Sequence, residues 1–124
     1  MNLLIVNDEP ITTKMIREKV DWTALGISQV LCAYSAAQAQ EIFENEDVDI
    51  LLCDIEMPGE DGIELIRWIK GRTLDCDCIF LTCHADFKYA QEAIKLGVMD
   101  YLLLPARYEE IAKSVSKAIQ RRQE

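Results

Sequence analysis

The sequence predicts an α/β fold, a doubly wound five-stranded parallel sheet with helices on both faces. Three observations carry that prediction. Short aliphatic runs alternate five times with longer amphipathic segments. The runs are continuously apolar rather than alternating, which suits strands buried on both faces. Several runs stop at carboxylate or hydroxyl residues, and in an open α/β sheet ligand chemistry gathers at those carboxyl ends.

Leu3 to Val6 is the first run, ending in Asn7, Asp8 and Glu9. Pro10 opens the first helix, because a missing N–H costs nothing in the first turn. Ile11, Met15, Ile16 and Val20 follow at helical spacing and predict its buried face. Asp21 to Ile27 reads as an extra helical turn with a stop at Gly26. Val30 to Tyr34 is the second run. Ser35 is placed to cap a helix whose buried side holds Ala36, Ala39, Ile42 and Phe43.

The stretch from Val48 to Gly62, VDILLCDIEMPGEDG, organises the rest. Its apolar run stops at Asp54, and Pro58, Gly59 and Gly62 forbid simple continuation as strand or helix. Asp54 therefore stands where a buried strand opens into a loop, as a metal ligand, a nucleophile or a turn former. Ile63, Leu65, Ile66 and Ile69 mark the third helix, which stops near Gly71. Cys78 to Leu81 is the fourth run, ended by Thr82. Asp86 can cap a helix carrying Phe87, Ala90, Ala93 and Ile94, and Gly97 suits the left-handed residue that closes it. Met99 to Leu104 is the fifth run, stopped by Pro105. Glu109 to Arg122 forms the last helix, acidic at its start and basic at its end, as the helix dipole favours.

Bounds on function follow from composition. A chain of 124 residues makes one domain, and its 50% hydrophobic content argues against disorder. The formal net charge of −9 argues against direct binding of nucleic acid or an anionic membrane by this segment. No apolar run is long enough to span a membrane and no signal pattern opens the chain, so a cytoplasmic location is expected. The odd count of five cysteines argues for free thiols. Cys76 and Cys78 form only a C-x-C, too little with one histidine for a structural zinc site.

If strands one, three and four are neighbours, Asn7-Asp8-Glu9, Asp54 and Thr82 converge. Two close carboxylates and a loop carbonyl make a hard oxygen site, suited to Mg²⁺ that keeps several waters. A nearby hydroxyl suits hydrogen bonding to a phosphoryl group.

The pieces LLIVNDEP, LLCDIEMPGEDGIEL, IFLTCHADF and AIKLGVMDYLLLP carry a family resemblance over nearly the whole chain. The chain resembles a response-regulator receiver domain, of the flavodoxin-like or CheY-like fold. That resemblance implies strand order 2-1-3-4-5. It implies Asp54 as phosphoacceptor, Asp8 and the Glu56 backbone carbonyl as further Mg²⁺ ligands, Thr82 as switch hydroxyl and Tyr101 as switch aromatic. Asn7 takes the place of one of the family's paired acids, and is either a turn former or a weak or water-mediated metal contact. Leu104 takes the place of the lysine before the strand-five proline. The Asp21-Trp22 insertion and the ADFKYAQEAIKLG stretch look most like receivers that precede AraC-type DNA-binding domains.

The resemblance implies residues 1–124 as the receiver of a longer regulator. Its partners would be a sensor histidine kinase and a C-terminal output domain, and it would act as a phosphorelay module rather than an enzyme. As an isolated domain it would be a monomer or a weak homodimer, through a face with Lys88, Gln91, Lys95, Tyr101 and Arg107. The alternative is a pseudo-receiver, an interaction module impaired in phosphorylation-dependent switching. A haloacid-dehalogenase-like site wants D-x-D followed by Thr or Val, which Asp54-Ile55-Glu56-Met57 does not match. A flavodoxin wants a Ser/Thr/Gly-rich phosphate loop, where this chain has Asn7-Asp8-Glu9-Pro10.

Overall fold

In a computed structural model describing residues 1–124, the five apolar runs form β1 (Asn2–Val6), β2 (Gln29–Ala33), β3 (Ile50–Cys53), β4 (Asp77–Thr82) and β5 (Asp100–Leu103). Between and after them lie α1 (Pro10–Lys19), α2 (Ala36–Asn45), α3 (Gly62–Gly71), α4 (Phe87–Leu96) and α5 (Tyr108–Gln123). All strand pairs are parallel, and the order is β2-β1-β3-β4-β5. The expected α/β class and order are therefore observed.

Successive strand residues point to opposite faces, and the core divides accordingly. Leu4, Val6, Leu51, Cys53, Cys78 and Phe80 face one layer, which contains buried residues of α2, α3 and α4. Leu3, Ile5, Ile50, Leu52, Ile79 and Leu81 face the other, made with α1 and α5. Every residue of β3 is buried, which is why its sequence is continuously apolar. The cysteines Cys53, Cys76 and Cys78 are buried free thiols, as small hydrophobes.

The register positions the site. Val6 is level with Cys53, and Cys53 with Phe80. The residues just beyond these strands thus reach one edge together. Caps fix the helices that follow. Ser35 accepts from the Gln38 N–H at 3.1 Å, and Asp86 from the Lys88 N–H at 2.8 Å. Gly97 takes a left-handed φ of 72° at the end of α4.

Two helix faces differ from expectation. In α1 the buried residues are Thr13 and Ile16, whereas Ile11 is 78% exposed. The inward stripe is narrow, and Thr13 fits within it because its hydroxyl bonds the Glu9 carbonyl at 3.3 Å. In α4 only Ala93 is buried, while Phe87 and Ile94 are 74% and 79% exposed. This helix approaches the sheet near its β5 edge through one small residue, leaving its larger apolar groups outside.

At the opposite, amino edge of the sheet, the Arg122 side chain is only 14% exposed. Its guanidinium lies 3.3 Å from Asp49, 3.3 Å from Asp75 and 3.2 Å from Asp77. Arg122→Ala would leave three aspartates without their shared cation. The pairing is partly buried, so the loss should be about 2 kcal/mol, between exposed and buried ion pairs. Urea unfolding should show a lower midpoint with an unchanged slope.

Candidate functional site

The site forms at the carboxyl ends of β1, β3 and β4. The Asp54 N–H donates to the Val6 carbonyl at 2.9 Å, extending the ladder one residue past β3. Its own Oδ1 then accepts the Ile55 N–H at 2.8 Å. Asp54 is 8% exposed, the one carboxylate among the buried residues. Gly62 lies so close beneath the Asp54 carbonyl that any Cβ there would overlap its oxygen. A capping box between Asp61 and Glu64 then launches α3, with Asp61 Oδ1 accepting the Glu64 N–H at 2.8 Å. The P-G-x-D-G sequence thus turns the chain sharply away and leaves the carboxylate at the rim.

Asn7 is 5% exposed. Its N–H continues the ladder to the Ala33 carbonyl at 3.1 Å, and its side-chain oxygen accepts the Glu9 N–H at 2.9 Å. Asn7 thus holds the turn that follows β1. The turn leaves Asp8 exposed at the mouth. Thr82 is fully buried at the end of β4 and its hydroxyl oxygen accepts the His84 N–H at 3.3 Å.

Burial pushes the Asp54 carboxyl above its usual range; the Thr82 hydroxyl and the Ile55 N–H draw it down, Asp8 raises it and His84 lowers it. These influences place Asp8, Asp54, Thr82 and His84 in one electrostatic unit. Tyr101 meets the unit indirectly. Its hydroxyl donates to the His84 carbonyl at 2.5 Å, and its ring stands edge-on to Phe80 with centroids 6.1 Å apart. Burial pushes its phenol up, with Asp86 and Asp54 adding to the effect.

Two elements of the site lie outside the sequence-based set. The Glu56 side chain turns to His84, with Oε2 3.0 Å from Nε2, and accepts the Tyr89 hydroxyl on Oε1 at 2.6 Å. That hydrogen bond, then burial, pushes the Tyr89 phenol up to about 12. The position of His84 two residues beyond Thr82 was its only signal in the sequence. Leu104 packs against the layer made with α1 and α5, where it borders a surface groove with Ile11, Met15 and Tyr108. Arg107 is paired with Glu110 on its own helix at 3.9 Å.

The donor set fits a sparse magnesium site. Asp8 and Asp54 act on each other electrostatically, and the Glu56 backbone carbonyl follows in the same loop. No three His, Cys, Asp or Glu side chains gather into a metal cage. Mg²⁺ needs none, since it is commonly held by one or two carboxylates and keeps waters.

Comparison with known proteins places the chain in a family. Residues 3–116 match the response regulator receiver domain family, and the chain belongs to it. The uncharacterized transcriptional regulatory protein YesN of Bacillus subtilis is 32% identical over 94% of this chain and 32% of its own length. The transcriptional regulatory protein DpiA of Escherichia coli is 32% identical over 98% of this chain and 54% of its own. The chain thus spans about a third to a half of these curated relatives. Among solved structures, the REC domain of AraT, a response regulator from Geobacillus stearothermophilus, is 35% identical with a TM-score of 0.86, covering 99% of this chain and 98% of that one. A two-component transcriptional regulator AraC from Clostridium phytofermentans is 32% identical with a TM-score of 0.89, covering 97% and 93%.

The raised Asp54 carboxyl makes a pH prediction. A carboxyl whose folded value lies above its unfolded one adds stability that is complete below the ordinary value of 3.8 and is lost as pH rises through the raised value. Asp54→Asn keeps that position neutral at every pH. In metal-free buffer the variant should unfold at a higher temperature than the parent at neutral pH. The gap should close below the ordinary Asp value. Added Mg²⁺ should narrow the neutral-pH gap by stabilising the parent, because a cation relieves paired carboxylates. Differential scanning calorimetry across pH reads both effects.

Proposed function

We propose that the chain is the receiver of a longer transcriptional regulator, accepting a phosphoryl group on Asp54 and passing the change to an output domain of AraC type. The observation that carries this reading is the buried Asp54 carboxylate, with Asp8 beside it and the Thr82 hydroxyl within its electrostatic reach. The relatives named as transcriptional regulators support the output, and they favour a working receiver over a pseudo-receiver. A sensor histidine kinase is the fitting phosphoryl donor. We place the module in the cytoplasm, as a monomer or weak homodimer that signals rather than turns over a substrate.

Asp54 supplies the nucleophile. One carboxylate oxygen bonds to phosphorus as the bond from phosphorus to the donor breaks, and the leaving group takes the electron pair. Asp8, Asp54 and the Glu56 carbonyl would hold Mg²⁺, with Asn7 contributing through the turn that presents Asp8. The ion would supply positive charge against the phosphoryl oxygens. Thr82 offers a hydroxyl donor, and Tyr101 senses a shift of the loop through the His84 carbonyl.

Leu104 limits the switch. It has neither donor nor charge, so a charge-assisted contact with phosphoryl oxygens is lacking at that position. Arg107, the residue before α5, lies 3.9 Å from Glu110. Signalling needs the modified state to be preferred over the resting one, and such couplings are typically about 1–3 kcal/mol. Without a contact of this kind the response should be weaker than it would be with a lysine there.

Incubation with a small phosphodonor and Mg²⁺ should add one phosphoryl group by mass, and Asp54→Ala should abolish it. Leu104→Lys should strengthen the backbone NMR response to beryllofluoride about tenfold or more in midpoint concentration. An equal response from the parent would make the lysine dispensable here.

A further inference from the structure

His84 joins Thr82, Tyr101, Glu56 and Tyr89. Its N–H donates to the Thr82 hydroxyl oxygen at 3.3 Å, and its carbonyl accepts the Tyr101 hydroxyl at 2.5 Å. Its Nε2 lies 3.0 Å from Glu56 Oε2. Glu56 Oε1 accepts the Tyr89 hydroxyl at 2.6 Å, and the Tyr89 ring stands edge-on to the imidazole with centroids 6.5 Å apart. Glu56 follows β3, His84 follows β4, and Tyr89 lies in the first turn of α4. The side-chain links therefore cross between the two loops that flank Asp54.

We propose that His84, Glu56 and Tyr89 form a latch that holds the loop after β4 in its resting position and restrains the response of the site to a group on Asp54. The inference rests on the receiver reading. Thr82 and Tyr101 both bond the His84 backbone, so neither rearranges without moving it. The side-chain links anchor that same backbone to the loop after β3. The imidazolium donates to Glu56 through Nε2–H, and so does the neutral ring as its Nε2–H tautomer. Each link is partly exposed and weak alone. Two donors on one carboxylate orient each other, and losing one loosens the second. Release of the latch lowers the cost of leaving the resting state and shifts the population toward the responding one.

Two variants test it. Glu56→Ala removes both links and keeps the backbone carbonyl. Tyr89→Phe removes one link and leaves every charge in place, which separates the latch from simple electrostatics. In the unliganded protein, amide exchange of Cys83 to Asp86 should quicken about threefold in both variants. The beryllofluoride midpoint, followed by NMR with Mg²⁺, should fall about twofold in Tyr89→Phe and about threefold in Glu56→Ala. Unchanged loop exchange in Tyr89→Phe overturns the latch, and so does an unchanged midpoint in that variant. Asp54→Asn serves as the control for the receiver reading. If the parent shows no response, or Asp54→Asn responds equally, that reading fails. The unliganded exchange then decides whether the latch exists.

Discussion

The Asp54 N–H bonds the Val6 carbonyl, and most of the site depends on that one ladder contact. It extends the β1–β3 pairing a residue beyond Cys53, the last residue of β3. The carboxylate is thereby fixed beside the turn that Asn7 makes after β1. A one-residue slip would send the alternating residues of β3 to the wrong layers. Leu51 and Cys53 belong to one core layer, Ile50 and Leu52 to the other. The apolar packing of both layers therefore holds the register, and the register holds Asp54. Stability and chemistry share the same constraint without sharing residues.

The burial of Asp54 has a cost that its neighbours only partly offset. Desolvation is the largest influence and disfavours the ionised form. The Ile55 N–H and the Thr82 hydroxyl favour the charged form, and Asp8 opposes it. Like charges disfavour joint ionisation, and a bound cation would relieve that. Asp8 adds to the burden on Asp54 rather than relieving it. That property distinguishes the site from the amino edge of the sheet, where Arg122 already sits among Asp49, Asp75 and Asp77 and leaves no call for a metal.

Much of this was legible in the sequence, for identifiable reasons. A run buried on both faces has to be continuously apolar, so β3 and its stop at Asp54 stood out. Caps and left-handed glycines are local, so Ser35, Asp86 and Gly97 could be placed from neighbouring residues alone. The buried faces of α1 and α4 were not legible. Helical spacing tells which residues share a side, but the width of the covered stripe depends on neighbouring elements. Thr13 entered the core and Ile11 did not for that reason. The partners of Glu56 were hidden too, because His84 and Tyr89 meet it only after two loops and a helix have been positioned.

Leu104 shows how a single departure can be absorbed by the fold and still alter the site. Its N–H donates to the Thr82 carbonyl at 2.8 Å, so the strand-end geometry persists with leucine in place. Its side chain joins the apolar layer shared with α1 and α5 instead of meeting a carboxylate. The backbone bond is made and the side chain has apolar neighbours, so leucine fits this position. The consequence falls on charge alone. His84 is the basic side chain that draws the Asp54 carboxyl down, and its Nε2 is already directed at Glu56. A group added to Asp54 would meet a site whose nearby imidazole is engaged by Glu56. With leucine at position 104, the side chains set against Asp54 are the Thr82 hydroxyl and His84, and His84 is held by Glu56.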